Sequence, residues 1–289
     1  MRFMAINDPI KRRSIAPCYS LSRVKSQFEM GGLKSVLGVS ELTDRKGNLY
    51  RSLFAEFFGT LLLNFFGCGA VETRDNVAIC LSFGLTVAVV IQSIGHISGG
   101  HINPAVTVGL AAVGKVPIIR AILYVIAQSV GAIAGSAIVK ALSPGTMAAG
   151  TVGLQGEVTV AQGLGTEFFL GLVLVLVVCG ACDAAKPDSK GIIPIIIGFA
   201  ITVGHFVAIT RTGSGMNPAR ALGSAAIMGE LDNHWLYWVG PILGGIAGAL
   251  IYEHAIGPAV EPERPRQYGF SVTEEKELQQ LTKKGTTPA

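Results

Sequence analysis

Six long apolar segments, separated by short polar stretches, dominate the pattern of this chain. They cover about residues 52–71, 77–97, 116–139, 163–182, 191–210 and 234–256. Each provides the roughly 20 apolar residues that a helix needs to cross a bilayer. The pattern predicts an all-α membrane protein whose six-span domain covers residues 51–256. A mostly flexible N-terminal extension is expected over 1–50 and a polar C-terminal tail over 257–289.

Two further apolar stretches are only about half a bilayer long. They read HINPAVTVGLAAV and MNPARALGSAAIM, and each contains the tripeptide Asn-Pro-Ala, as Asn103-Pro104-Ala105 and Asn217-Pro218-Ala219. Asn is a good helix N-cap and Pro a good first helical residue, so each tripeptide predicts the start of a re-entrant half-helix. Gly-rich backbone precedes each one. Such backbone is tolerated at membrane depth only inside protein or beside a water-filled cavity, which predicts a water-lined path.

The chain is built as an inverted repeat. Landmarks of the first half recur in the second at offsets of 111, 114 and 113 residues: Glu56-Phe57 with Glu167-Phe168, the two Asn-Pro-Ala tripeptides, and the pair Gly131 and Gly135 with the pair Gly244 and Gly248. Each half, about 51–140 and about 162–256, holds three spans, so the halves enter the membrane in opposite directions. Repeats of this kind place the substrate route at the interface between the halves.

Charge is scarce and unevenly distributed. Charged residues make up 15% of the chain, against about 25% in soluble domains. Ten of the 23 Lys and Arg lie in residues 1–51 and five in 257–289. Four more fall on the side of the termini, after the second and fourth spans: Lys115, Arg120, Lys186 and Lys190. The positive-inside bias therefore predicts cytoplasmic termini. The net charge of +4 then reflects topology and attraction to the lipid bilayer, and no nucleic-acid partner is expected.

At this point the chain resembles a known family. Two Asn-Pro-Ala motifs within six spans, in the contexts SGGHINPAVT and GSGMNPAR, look like the aquaporin (major intrinsic protein) family, in its water-selective branch, over about residues 50–256. The resemblance implies an aquaporin-like right-handed bundle of six transmembrane helices and two re-entrant half-helices. It also implies a homotetramer in the plasma membrane with one pore per subunit, which conducts water and excludes protons and ions.

The re-entrant segments supply candidates for the wall of the path. The amides of Asn103 and Asn217 are expected to donate hydrogen bonds to water at the midplane, where both half-helix N-termini add positive partial charge. The extended backbone before each tripeptide is expected to turn carbonyls toward the lumen. The carbonyls assigned in this way belong to Ser98, Gly99, Gly100, His101, Thr212, Gly213, Ser214, Gly215 and Met216. Cations would be repelled by the same partial charges.

Arg220 directly follows the second tripeptide. An ionisable residue at membrane depth costs at least about 2.5 kcal/mol unless it faces a cavity or a partner, which favours a functional role. The resemblance implies that Arg220 forms a selectivity constriction with Phe83, His205 and Ser214. A bulky aromatic ring, a His and an Arg would leave a small, polar opening.

Three features predict water rather than glycerol as the permeant, by resemblance. Glycerol-conducting members of the family usually have a small residue where this chain has His205. They also usually have Asp at the position of Ala221. Water channels typically carry the aromatic pair found here as Tyr237-Trp238.

Two carboxylates inside the spans are matched across the repeat, Glu56 and Glu167. The resemblance implies that they brace the re-entrant loops by accepting hydrogen bonds from loop backbone. His101 is expected to line or brace the cytoplasmic mouth. Cys179 and Cys182 have the spacing of a C-x-x-C pair, but as small apolar residues on one helix they are expected to pack rather than to bind metal.

Two other functions stay open beside the water channel. One is a broader facilitator for glycerol, urea or peroxide. The other is a membrane adhesion or scaffold protein with a vestigial pore. The sequence shows no nucleophile–base arrangement, so no enzyme, catalytic residue, metal site or cofactor is expected.

Overall fold

The computed structural model describes residues 36–43, 49–144, 150–186 and 191–258. The helices found there are α1 (Val39–Thr43), α2 (Leu49–Gly69), α3 (Asn76–Ser98), α4 (Pro104–Ala112), α5 (Ile118–Leu142), α6 (Val160–Ala181), α7 (Ile193–Thr212), α8 (Pro218–Met228) and α9 (Leu236–Ile251). A 3₁₀ turn over Ala70–Thr73 extends α2, and a π-helical turn over Tyr252–Ile256 extends α9. Most of the predicted N-terminal extension and almost all of the predicted tail lie outside the described residues.

Six of these helices are long and apolar enough to cross a membrane, namely α2, α3, α5, α6, α7 and α9. The predicted fold class is confirmed, with helix bounds displaced by a few residues. One of the two largest shifts in a helix start, which are equal at α2 and α6, has a clear cause at Thr159. Its hydroxyl and the Gln162 side chain form a capping box, so α6 begins at Val160, ahead of the apolar run from residue 163.

Glycine pairs bring the first and third spans of each half into backbone contact. Gly131 and Gly135 on α5 lie against backbone carbonyls of α2, and Gly244 and Gly248 on α9 lie against those of α6. A Cβ atom at any of the four would overlap the neighbouring helix. Small residues at such crossings let helices pack closely where lipid supplies no hydrophobic driving force.

The half-helices exchange partners between the two halves. Helix α4 of the first half packs mainly on α9 of the second, and α8 of the second packs mainly on α5 of the first. Gly109 on α4 lies against Gly245, and Gly223 on α8 lies against Ala132. The middle spans, α3 and α7, cross at Gly84 and Gly198. The two halves are therefore interlocked rather than merely adjacent.

Helix α1 is a feature that the sequence analysis did not predict. It lies within the extension expected to be mostly flexible, and five residues are too few to show apolar periodicity. Glu41 forms an ion pair with Arg120 at the start of α5, with 2.8 Å between Oε2 and Nε. Gly38, in the left-handed region with φ of 75°, packs against Pro117. These contacts hold the segment against the six-span body.

Candidate functional site

Each Asn-Pro-Ala tripeptide begins a half-helix, as predicted. Asn103 is the N-cap of α4, and its Oδ1 accepts a hydrogen bond from Ala105 N at 2.8 Å. Asn217 is the N-cap of α8 and accepts from Ala219 N at 3.0 Å and from Arg220 N at 3.2 Å. In each case Pro occupies the first helical position, where its missing N–H costs no helical bond.

The two Asn side chains tie the halves to each other. Asn103 Nδ2 donates to the Met216 carbonyl at 3.1 Å, and Asn217 Nδ2 donates to the Ile102 carbonyl at 2.8 Å. Both accepting carbonyls belong to the residue that precedes the other Asn. An amide NH₂ carries two hydrogens, so each bond leaves one hydrogen for a further acceptor.

Glu56 holds the loop that leads into α4. Its carboxylate accepts from the Ser98 hydroxyl at 2.6 Å, from His101 N at 2.9 Å and from Ile102 N at 2.6 Å. The carboxylate is fully buried. Backbone N–H groups of a non-helical loop need such acceptors, because a buried N–H without a partner costs about 1–3 kcal/mol.

Glu167 does the same for the loop that leads into α8. It accepts from the Thr212 hydroxyl at 2.6 Å, from Gly215 N at 2.8 Å and from Met216 N at 2.7 Å. It too is fully buried. The two carboxylates thus occupy equivalent places in the inverted repeat and contact equivalent groups.

Both loops contain left-handed backbone at residues other than glycine. Ile102 has φ of 42°, Ser214 of 57° and Met216 of 54°. For a β-branched residue such as Ile this conformation is a genuine outlier. It persists only where surrounding contacts over-determine it, and here the carboxylates and the Asn amides supply those contacts.

Two tyrosines brace the loops, and the sequence analysis did not assign either of them to this role. Tyr124 Oη donates to the Ser98 carbonyl at 2.8 Å, and Tyr237 Oη donates to the Thr212 carbonyl at 2.7 Å. Those two carbonyls, which were expected to face the lumen, are therefore engaged by protein hydroxyls. The signal that could have identified the pair is their offset of 113 residues, which matches the repeat.

Two more carbonyls assigned to the lumen, those of Gly215 and Met216, are also engaged by protein. Met216 O accepts from Asn103 Nδ2, as described above. Gly215 O accepts from Asn217 N at 2.5 Å. The loop thus turns back on itself just before α8. The stretch at 152–155 lies alongside this loop, with Gly153 N donating to the Thr212 carbonyl at 3.2 Å.

Three of the four predicted constriction residues lie together. The rings of Phe83 on α3 and His205 on α7 stack, with centroids 4.5 Å apart, and the Arg220 guanidinium carbon lies 4.8 Å from the Phe83 ring centroid. All three side chains are buried inside the chain. Ser214, the fourth, is buried in the loop before Asn217, where its N–H donates to the Thr212 hydroxyl at 3.2 Å.

Several hydrogen-bonding atoms of these four residues have no partner in the protein. His205 Nδ1 lies 2.9 Å from the Ile201 carbonyl, which can only accept, so Nδ1 carries a hydrogen. In the neutral tautomer with this hydrogen, Nε2 is an acceptor. Among the described residues, His205 Nε2, Ser214 Oγ, and Arg220 Nε and Nη1 are buried without a protein partner. Buried polar atoms are nearly always satisfied by protein or water, so this combination suits small polar molecules.

His101 lies in the corresponding loop of the first half. Its Nδ1 is 3.2 Å from the Thr107 hydroxyl, and its ring meets Tyr124 edge to face, with 5.2 Å between centroids. Gln128 on α5 donates to Glu56 Oε2 at 2.8 Å and to Thr107 Oγ1 at 3.0 Å. His101 therefore belongs to a polar network behind the loop. Sequence reasoning did not identify Gln128, because a single amide in an apolar span gives no sign of its direction.

Comparison with known proteins places this fold among membrane channels. The family model described as Major intrinsic protein matches residues 43–252. Aquaporin-4 of Mus musculus is 40% identical over 233 residues, which cover 77% of this chain and 72% of that protein. Aquaporin-1 of Homo sapiens is 40% identical over 229 residues, which cover 74% of this chain and 85% of that protein.

A solved structure agrees with the sequence comparisons. The aquaglyceroporin from Plasmodium falciparum aligns with a TM-score of 0.66 and 25% sequence identity, covering 72% of this chain and 97% of that one. The chain is a multi-pass membrane protein and a member of the major intrinsic protein family, the family of the aquaporin channels.

Proposed function

We propose that this protein is a passive, water-selective channel of the plasma membrane, with both termini in the cytoplasm, that excludes protons and ions. The observation that carries the proposal is the cluster of Phe83, His205 and Arg220, with its unpartnered polar atoms. Ser214 contributes a fourth, hydroxyl-bearing position from the loop.

This cluster offers hydrogen-bonding groups that replace the hydrogen bonds water loses in a narrow pore. A water molecule entering a constriction loses hydrogen bonds to bulk water, and the wall must supply both donors and acceptors. Arg220 has only donors, whereas the His205 tautomer described above provides an acceptor at Nε2. Phe83 forms an apolar side against which no hydrogen bond is made. Water is thus bound weakly on several sides, as conduction requires.

The meeting point of the half-helices is the second contact point for water. Each Asn amide donates one N–H to the opposite loop, and its second N–H can donate to the oxygen of a permeating molecule. The N-termini of α4 and α8 add positive partial charge at the same place. These partial charges repel a cation, and a water molecule presents its oxygen to both Asn side chains. We propose that the remaining loop carbonyls, at Gly99, Gly100, His101, Gly213 and Ser214, complete the wall.

Selectivity against glycerol rests on the size and polarity of the constriction. His205 and Arg220 occupy space that a larger solute needs. When glycerol replaces water in the constriction, each of these two residues loses a hydrogen bond to water, and glycerol does not restore it with the same geometry. Relatives named aquaporin-4 and aquaporin-1 are 40% identical to this chain. A second candidate function, a broader facilitator for glycerol, urea or peroxide, is favoured by the fold shared with an aquaglyceroporin.

Paired permeability measurements on the purified protein decide between these functions. Osmotic swelling of proteoliposomes should be faster than that of empty vesicles, with little glycerol uptake and no proton flux under an imposed potential. A swelling rate equal to that of empty vesicles would leave the scaffold hypothesis. Glycerol uptake well above the empty-vesicle rate would favour the facilitator.

We also propose that the protein assembles as a homotetramer with one pore per subunit. The tetramer is proposed because the chain belongs to the aquaporin family. One pore per subunit is supported by the place of the proposed constriction inside a single chain, where all its side chains are buried. Native mass spectrometry from detergent should give a mass of four chains. A monomer that retains full permeability would show that the pore functions without the tetramer.

A further inference from the structure

A buried amide on the first span stands directly behind the constriction. Asn64 on α2 is fully buried, and its Nδ2 donates to the backbone carbonyl of Arg220 at 3.2 Å. The same nitrogen donates to Ser136 Oγ on α5 at 2.9 Å. A carbonyl can only accept, so the amide nitrogen rather than the oxygen must face Arg220. Both of its hydrogens are thereby used.

The other half of the molecule offers an internal comparison for this pair. By the repeat offsets of 111 and 113 residues, Asn64 corresponds to Val175 and Ser136 to Ala249. The packing corresponds as well: a Cβ at Gly223 would meet the Asn64 amide, and a Cβ at Gly109 would meet a Val175 methyl. Val175 and Ala249 are fully buried. Packing of a half-helix against the outer spans therefore needs no polar group at these positions.

The difference between the halves falls at one place. The half-helix that Asn64 touches carries Arg220, whereas the equivalent position on the other half-helix is Val106. A buried amide costs free energy unless it is hydrogen-bonded, so apolar packing alone would favour Val at both sites. The polar pair occurs where an arginine has to be held and is absent from the mirrored position, where there is none.

The same face of α2 also supports a second constriction residue. Gly67, one turn after Asn64, lies directly against the Phe83 ring, and a Cβ there would overlap it. Helix α2 thus contacts Phe83 through Gly67 and the Arg220 backbone through Asn64. The distance between these two constriction residues is set in part by one rigid helix.

We propose that Asn64, supported by Ser136, is a positioning residue that fixes the first turn of α8 and with it the Arg220 side chain in the constriction. The proposal rests on the proposed function, because it assigns Asn64 a part in selectivity through Arg220. Asn64 itself does not contact the permeating molecule. Its effect on solute selection comes from the place at which it holds the arginine backbone.

The test replaces each polar residue with its counterpart from the other half. In Asn64→Val, the ratio of glycerol to water permeability in proteoliposomes should rise about two- to tenfold, since one such hydrogen bond changes a population by about that factor. Ser136→Ala keeps the bond to Arg220 but loses its support, so a smaller rise in the same direction is expected. Ser136→Ala also serves if Asn64→Val does not fold.

Val175→Ala is the matched control. It truncates the mirrored buried residue, lowers thermal stability, and should leave the permeability ratio unchanged. The proposal is overturned if Asn64→Val and Ser136→Ala lose stability as Val175→Ala does while the ratio stays at the wild-type value. It is supported if the ratio changes only for the two residues behind Arg220.

A second readout separates this proposal from the proposed function. Backbone amide exchange of the peptide covering residues 217–224, followed by mass spectrometry, should be faster in Asn64→Val than in the wild type or in Val175→Ala. This result does not depend on permeation. If wild-type vesicles swell no faster than empty ones, the proposed function fails, while unchanged exchange in Asn64→Val would overturn the positioning role.

Discussion

The two halves of the molecule share a frame but differ in what the frame holds. Each half has a buried Glu that accepts hydrogen bonds from a loop, a Tyr hydroxyl on the loop carbonyl, and an Asn amide that crosses to the other half. Around that frame the second half-helix carries Arg220 beside Phe83 and His205. The equivalent positions at the other end are Val106, Ile197 and Ile91, all apolar.

This difference distinguishes two roles, support of the re-entrant loops and selection of the solute. Holding a re-entrant loop inside a membrane is needed twice, and the residues that do it are conserved between the halves of this one chain. In the proposed channel, solute selection is needed only once along a single path. One polar cluster, formed by Phe83, His205 and Arg220, is then enough, and the mirrored position can remain apolar.

The largest effect should come from breaking the shared frame. Truncating either carboxylate, in Glu56→Ala or Glu167→Ala, leaves at least two buried N–H groups without their acceptor, at about 1–3 kcal/mol each. We expect loss of thermal stability and of water permeability in both variants, because both halves depend on the same device. Glu157→Ala, which truncates an exposed carboxylate, should match the wild type. A fully active Glu167→Ala protein would show that the loop does not need its carboxylate.

The next effect should distinguish the two ends of the path. His205→Ala combined with Arg220→Val widens and neutralises the constriction, so glycerol or urea permeability should rise on the order of tenfold, since a polar site no longer rejects the larger solute. The control changes the mirrored positions, with Ile91→Ala and Val106→Ala. Stopped-flow glycerol uptake should rise only in the first double variant. Equal uptake in the two would refute the assignment of selectivity to one end.

A smaller effect should reveal a support that only the first half has. Gln128 donates to Glu56 and to Thr107, and the residue that corresponds to it in the second half is Pro241. Gln128→Leu should lower the free energy of unfolding by about 1–3 kcal/mol and leave the ratio of glycerol to water permeability unchanged. Gln155→Leu at an exposed loop position is the control for thermal unfolding. A changed ratio would mean that the first half also takes part in selectivity.

The smallest effect concerns helix α1, which lies before the first span and packs against α5 of the first half. The Glu41–Arg120 ion pair is partly exposed, with side chains 25% and 15% accessible. Glu41→Gln should therefore cost only about 0.2–1 kcal/mol, and the difference from wild type should shrink as salt is raised. Thermal unfolding at low and at high salt measures this. A change in water permeability would instead connect α1 to the path, through Arg120 and the neighbouring Tyr124 ring.

The fold could be predicted well from the sequence because membrane-spanning helices are recognisable from their long apolar composition. The six spans and the two half-helices follow from apolar length and from Asn-Pro. Asn64 was not predicted, because one polar residue in an apolar span can face any neighbour. Comparison of Asn64 with Val175 across the repeat is the signal that would have singled it out. Helix α1 was missed because its position depends on the contact with Arg120 and Pro117, which no local pattern shows.

The crossed Asn bonds also bear on how this protein moves. Many inverted-repeat membrane proteins are carriers, in which one repeat rocks against the other to expose a site alternately to each side. Here Asn103 and Asn217 each donate to a carbonyl of the opposite half, and each half-helix packs on the opposite half. Rocking would break both bonds at once and pull both half-helices from their seats. In the channel proposed above, the crossed bonds would hold the molecule in one state, and flux would follow the gradient without a conformational cycle.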